Sequence, residues 1–373
     1  MRTVLGTGVV LAAVAGGWFA WARVQGPANF TAAPVPISAT APGSSTSSEP
    51  AAPGPHAEAS RETGGLAFVI NSGDASISLL NVATKQEVRR IPMVREPHHM
   101  ALTPDHRFLV VGDTVANELV FLDPVTGDVA RRVTVSDPYQ FGFSPDGKWL
   151  VVNGLLRNQV DIFDAATMKL ASRVHVSAMP SHENFSPDSS TVYVSLQSSN
   201  SIIAIDVRSG KPIWQSVVGP TPAGVLWHRG KLLVGVMGAD YVAVVDPATG
   251  RVERRIKTAK GAHVLFVSHD GKMIYVSNRV DGSIVVLDAA TLTEIRRFRI
   301  SGGPDDMDFA PDGKIWVTRR WAQTVAVVDP VTGSDEVLPV GRSPHGIWLN
   351  THDVLPTRTD VASERSVVPK PGS

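Results

Sequence analysis

The sequence predicts an all-β protein, a seven-bladed β-propeller closed by pairing a C-terminal inner strand with N-terminal outer strands. Three observations predict it. A phrase of alternating apolar strand, Asp-centred turn and second strand occurs seven times, anchored at Asn81, Asp123, Asp164, Asp206, Asp246, Asp288 and Asp329. The anchors lie 42, 41, 42, 40, 42 and 41 residues apart, the period of one four-stranded blade. Gly and Pro are abundant, 32 and 27 of 373 residues, and few segments have helical period, as suits many strands joined by tight turns.

Taken in chain order, Met1 and Arg2 precede an uncharged run over residues 3–22 that ends at Arg23. Twenty such residues as a helix span roughly 30 Å, enough for an uncleaved membrane anchor. Ala20-Trp21-Ala22 also suits signal-peptide cleavage, so residues 1–25 are read as one or the other. Either reading places the rest in the periplasm or cell envelope, with the inner membrane as the partner of the N-terminus. Residues 26–64 are dominated by Ala, Pro, Ser and Thr and predict a disordered tether.

The propeller is expected over 65–350 and a disordered tail over 351–373. Each repeat carries a second landmark, Pro97, Pro138, Pro180, Pro222, Ala262, Pro304 and Pro344, at the entry to an inner strand. Turns such as Ser144-Pro145-Asp146-Gly147 follow it, with Pro presetting φ and Gly supplying φ > 0. The first ordered segment, Gly65 onward, has outer-strand pattern, and the last, Pro344-His345-Gly346-Ile347-Trp348-Leu349, reads as an inner strand with nothing after it. Joining the two completes the seventh blade and leaves no long edge open.

Composition excludes several functions. The formal net charge is zero, which argues against nucleic-acid binding. No cysteine is present, so disulfides, c-type haem attachment, thiolate metal sites and a lipoprotein anchor are excluded.

The two positions after the landmark hold His98-His99, Tyr139-Gln140, Ser181-His182, Ala223-Gly224, His263-Val264, Asp305-Asp306 and His345-Gly346. Five of the eleven histidines fall in these fourteen positions, and all seven loops converge on the axial funnel. Imidazole with carboxylate suits a divalent transition metal, so His98, His182, His263, His345 and Asp305 are candidate metal ligands. The same histidines could ligate haem iron or act as a base. The loops on this face add Arg279 and Arg319-Arg320-Trp321, suited to clamping an anion. With His99 and Asp306 these form the candidate ligand-binding set. Solvated polar residues at a funnel mouth are the plainer reading of the same pattern.

The units Ile274-Tyr275-Val276-Ser277-Asn278, Val192-Tyr193-Val194-Ser195 and Trp316-Val317-Thr318, with the Ser-Pro-Asp-Gly and Asp-Pro-x-Thr-Gly turns, resemble the YVTN-repeat or YncE-like propellers of the bacterial envelope. They are more distantly similar to the d1-haem propeller of cytochrome cd1 nitrite reductase. The resemblance implies the repeat fold and spans binding modules, surface proteins and enzyme domains; the tether and polar funnel are read as a monomeric exported module that binds a protein or small-molecule ligand, its cofactor a divalent metal or haem. Ser343-Pro344-His345-Gly346-Ile347-Trp348 also looks like repeats of virginiamycin B lyase. That likeness implies a metal-dependent lyase or lactonase with His345 as the catalytic acid or base. Only one repeat has Pro-His-Gly.

Overall fold

A computed structural model describes residues 65–351. The anchor expected over 1–25, the linker over 26–64 and all but the first residue of the tail lie outside the described residues.

The described residues form seven antiparallel sheets of four strands. Blade 1 runs from its inner strand Pro97–Leu102 to its outer strand Val129–Thr134, and blades 2 to 6 begin at Pro138, Pro180, Pro222, Ala262 and Pro304. Blade 7 joins Pro344–Asn350 to Leu66–Asn71, Ser76–Asn81 and Glu87–Pro92. The fold is the predicted propeller, closed as expected, with Val69 opposite Ile347 and Ala67 opposite Leu349. Each inner strand packs against the inner strands of both neighbouring blades, so the seven surround one axis.

The core sits between adjacent sheets. Phe68, Ile70, Ile77 and Leu79 of blade 7 pack with Leu109, Val111, Val120 and Leu122 of blade 1. Alternation along the middle strands sends side chains to both sheet faces, and both faces are covered by neighbours. Such strands are therefore buried almost throughout, as in Leu66–Asn71 and Ser76–Asn81. The outer strands are largely exposed instead, as in Glu294–Arg299, where only Phe298 is buried.

Both sequence landmarks have structural explanations. In the Asp-centred turns the carboxylate accepts backbone amides, Asp123 Oδ1 from Val125 at 2.7 Å and Thr126 at 2.8 Å. In the Pro-Asp-Gly turns a Ser or Thr hydroxyl donates to the Asp, Ser144 to Asp146 at 2.7 Å and Ser268 to Asp270 at 2.6 Å. These Asp side chains complete turns and leave the chemistry to the opposite face.

The landmark itself aims that chemistry. Every inner strand breaks register against its neighbour just after the landmark, for example between Pro97 and Met100, Pro304 and Met307, and Pro180 and Glu183. A bulge of this kind lifts residues out of the ladder and redirects their side chains. In six of the seven repeats the preceding residue has positive φ, as at Asp137, Met179, Thr221, Gly261, Gly303 and Ser343. The two positions that carry the histidines are thus the bulged ones.

Candidate functional site

Five imidazoles meet on the axis from blades 1, 3, 5 and 7. His98 and His345 have ring centroids 4.0 Å apart, His99 and His345 4.5 Å, His99 and His182 5.2 Å, and His182 and His263 5.2 Å. Tyr139 of blade 2 completes the circle, 4.1 Å from His98. Tyr139 was absent from the sequence-derived candidates although it occupies the same repeat position as His98, and that position was the signal.

Asp305 organises one side of the cluster. Its Oδ2 accepts from His345 Nδ1 at 2.7 Å and from Arg320 Nη1 at 3.2 Å. Its Oδ1 lies 3.0 Å from His263 Nδ1 and also pairs with Arg279 Nη2. Burial raises the carboxyl pKa, but Arg279, His345 and His263 outweigh it and hold Asp305 well below the usual range. An ionised carboxylate only accepts, so both histidines carry their protons on Nδ1.

The opposite nitrogens differ. His263 Nε2 lies 2.9 Å from Arg279 Nη2 and is occupied. His345 Nε2 is buried and has no hydrogen-bond partner, and so is His182 Nε2. His99 Nδ1 lies 2.7 Å from the Tyr139 carbonyl oxygen, which can only accept. The proton is therefore on Nδ1 and the Nε2 lone pair of His99 is free. His98 Nδ1 stands 2.9 Å from His99 Nδ1.

Electrostatics keep these rings neutral. Burial first, then the neighbouring His345, His99 and Arg320, holds His98 well below its ordinary value. Burial lowers His99 to about 3 and, aided by Arg279, lowers His263 to about 4. His182 and His345 are also driven well down, again chiefly by burial. Neutral imidazole is the metal-binding form. Ligand nitrogens of His98, His99 and His345 all lie within 4.8 Å of one another, a grouping of three that could hold a metal ion.

The structure thus gathers His98, His99, His182, His263, His345, Asp305, Arg279 and Arg320, predicted from positions spread over some 250 residues. It separates the Arg-Arg-Trp loop. Arg320 turns inward to Asp305, whereas Arg319 donates Nε to the Ser301 carbonyl at 2.6 Å. Trp321 is 60% exposed and lies over Gly303, where a Cβ would sit 2.7 Å from its ring. Asp306 accepts from the Met307 amide at 3.0 Å.

Beside the histidines, Glu183 is buried against Asn153, and its amide donates to Gln140 Oε1 at 3.0 Å. Burial pushes this carboxyl well above its ordinary pKa, against the hydrogen bond it accepts from Asn153. A separate cleft of about 460 Å³ between blades 3 and 4 is lined by Tyr193, Trp214 and Trp227. There Trp214 Nε1 donates to the Pro247 carbonyl at 3.0 Å and ties the two blades together.

Fold and site together define a seven-bladed β-propeller with a buried histidine cluster on its axis. The chain belongs to the YNCE-like beta-propeller family, whose sequence profile matches residues 29–355. No curated protein is significantly similar in sequence. Among solved structures, a functionally unknown protein from Desulfotomaculum acetoxidans DSM 771 is 15% identical, with TM-score 0.66, covering 76% of this chain and 98% of that one. The periplasmic gluconolactonase PpgL of Pseudomonas aeruginosa is 19% identical, with TM-score 0.63 and the same coverage, 76% and 98%. The dihydro-heme d1 dehydrogenase NirN in complex with DHE is 16% identical, with TM-score 0.58, covering 81% and 83%. At these identities the likeness is one of fold.

Proposed function

We propose that this chain is an exported, envelope-tethered binding propeller whose axial funnel holds a divalent transition-metal ion through His98, His99 and His345. One observation carries the reading. Three imidazole nitrogens converge within 4.8 Å, and the His345 Nε2 among these rings is buried without a partner. A buried acceptor left unpaired costs about 1–3 kcal/mol, a cost that a bound ion removes.

The second sphere fits the same reading. Asp305 holds His345 by Nδ1 and the Tyr139 carbonyl holds His99 by Nδ1, the pattern by which outer partners orient metal-binding histidines. Three neutral imidazole nitrogens favour zinc, copper, iron or nickel over magnesium or calcium. Rings packed 4.0–5.2 Å apart suit a single ion better than a tetrapyrrole placed among them. Export rests on the apolar residues 3–22 and the tether that follows them.

Elemental analysis of the purified full-length chain, with zinc titration after chelation, tests the reading. About one equivalent is expected, lost when His98, His99 and His345 are all changed to Ala. Equal zinc in parent and variant would remove the funnel from the account.

The Asp305–His345 pair favours a second reading, a lactonase or lyase in which His345 Nε2 is the general base. A carboxylate that fixes the Nδ1–H tautomer is what such a base requires. Lactone hydrolysis lost in His345→Ala, with unfolding unchanged, would favour it over the binding module.

A further inference from the structure

We propose that the funnel takes its metal ion together with a small oxyanion, of which a carboxylate is the best-suited class, received by Arg320 and Arg279. The inference rests on the metal reading above and names the ligand that completes that site.

Charge is the first argument. The groups in contact at the centre are imidazoles, the Asp305 carboxylate and the guanidiniums of Arg279 and Arg320, whose side chains are only 16% and 14% exposed. Both arginines meet the same carboxylate, so two positive charges face one negative one and an excess of about one remains. A divalent ion adds to this local positive charge. Buried charge of this size is unfavourable without counter-charge, so an anion should accompany the cation.

Two nearby carboxylates bind backbone amides of their own loops. Asp113 accepts the amides of Val94, Arg95, Glu96 and Ala116. Asp137 accepts those of Leu156 and Arg157, and burial weakens its acidity.

Donor capacity is the second argument. Arg279 Nε is buried with no partner, and its Nη1 meets only the thioether of Met237 at 3.7 Å. Arg320 uses only Nη1, on Asp305, among the described residues. A guanidinium has five N–H donors in a planar fork, so both retain donors matched to a carboxylate. An oxyanion that touched the ion and these donors would satisfy the orphaned N–H and the surplus charge together.

The test is cobalt(II) titration of the chelated full-length chain in buffer free of carboxylate and phosphate, with and without millimolar acetate, followed by the visible spectrum. Acetate should tighten cobalt binding by about 10-fold, within the range of ordinary two-site coupling, and shift the visible bands. Arg320→Gln should bind cobalt at least as tightly without acetate, because a repelling charge is gone, and should lose most of the acetate response. Arg320→Lys should keep part of it, and unfolding curves check that each variant is folded. Cobalt binding with no acetate effect on affinity or spectrum overturns this inference alone. Absence of cobalt binding in both buffers overturns the metal reading, and this inference with it.

Discussion

Asp305 of blade 6 accepts a hydrogen bond from His345 of blade 7 at 2.7 Å, and both residues are almost fully buried. The two lie 40 residues apart, one repeat, so each occupies the bulged position after its own landmark. The bond fixes the His345 tautomer and leaves Nε2 as the free nitrogen. Asp305→Asn keeps the volume but removes the charge that orients two histidines and balances two arginines. Metal affinity should fall about 10- to 100-fold by competition titration. Folding stability should fall by about 3–5 kcal/mol in denaturant, since two buried guanidiniums lose their partner.

His345 and His263 should respond differently to truncation. His263 has both ring nitrogens engaged, by Asp305 and Arg279, whereas His345 has Nε2 unpartnered. His345→Ala should abolish zinc binding, and His263→Ala should only weaken it, by about 10-fold as for other outer-sphere changes. Equal losses in calorimetric titrations would contradict the division of roles.

Acid should destabilise the metal-free protein through these same rings. His99 and His263 are lowered to about 3 and about 4, from about 6.5 in the unfolded chain. Between those values the unfolded state binds more protons, so stability rises with pH and falls as pH drops. The contribution is complete above about pH 6.5 and is lost progressively down to about pH 4 and then 3. Each ring supplies a slope of up to about 1.4 kcal/mol per pH unit in that window. Denaturant unfolding from pH 7 to pH 4.5 should show a slope that shrinks in His263→Gln.

Closure of the ring makes its own prediction. Ile347 of the C-terminal strand is 5% exposed and lies opposite Val69 of the first described strand. Ile347→Asp places an unpaired charge in that seam and should cost more than about 4 kcal/mol, at the extreme of single substitutions. Loss of the cooperative transition in circular dichroism is the expected result. The exposed Val331→Asp, on a turn, should be silent.

Much of this was legible in the sequence because a propeller repeats one local problem seven times. Strand alternation, Asp-centred turns and turn glycines are short-range, so the period, the closure and the common face of His98, His182, His263 and His345 all follow from spacing. The bulge after each landmark was not legible, because it is a backbone feature filled by different residue types, such as Asp137 and Ser343. Nor was the divergence of Arg319 and Arg320, since it depends on where the Ser301 carbonyl and the Asp305 carboxylate stand in space. Sequence placed Asp305 among the metal ligands. Its contacts with His345, His263, Arg279 and Arg320 suit an orienting and charge-balancing role, which depends on three-dimensional partners.

A metal ion held by His98, His99 and His345 can be located directly in crystals. Anomalous diffraction from crystals of the zinc-loaded protein, measured across the zinc edge, tests for it most directly. One strong peak is expected on the propeller axis, about 2.1 Å from a nitrogen of each of the three rings. A peak elsewhere, or none at this position in crystals whose zinc content is confirmed by elemental analysis, would contradict it.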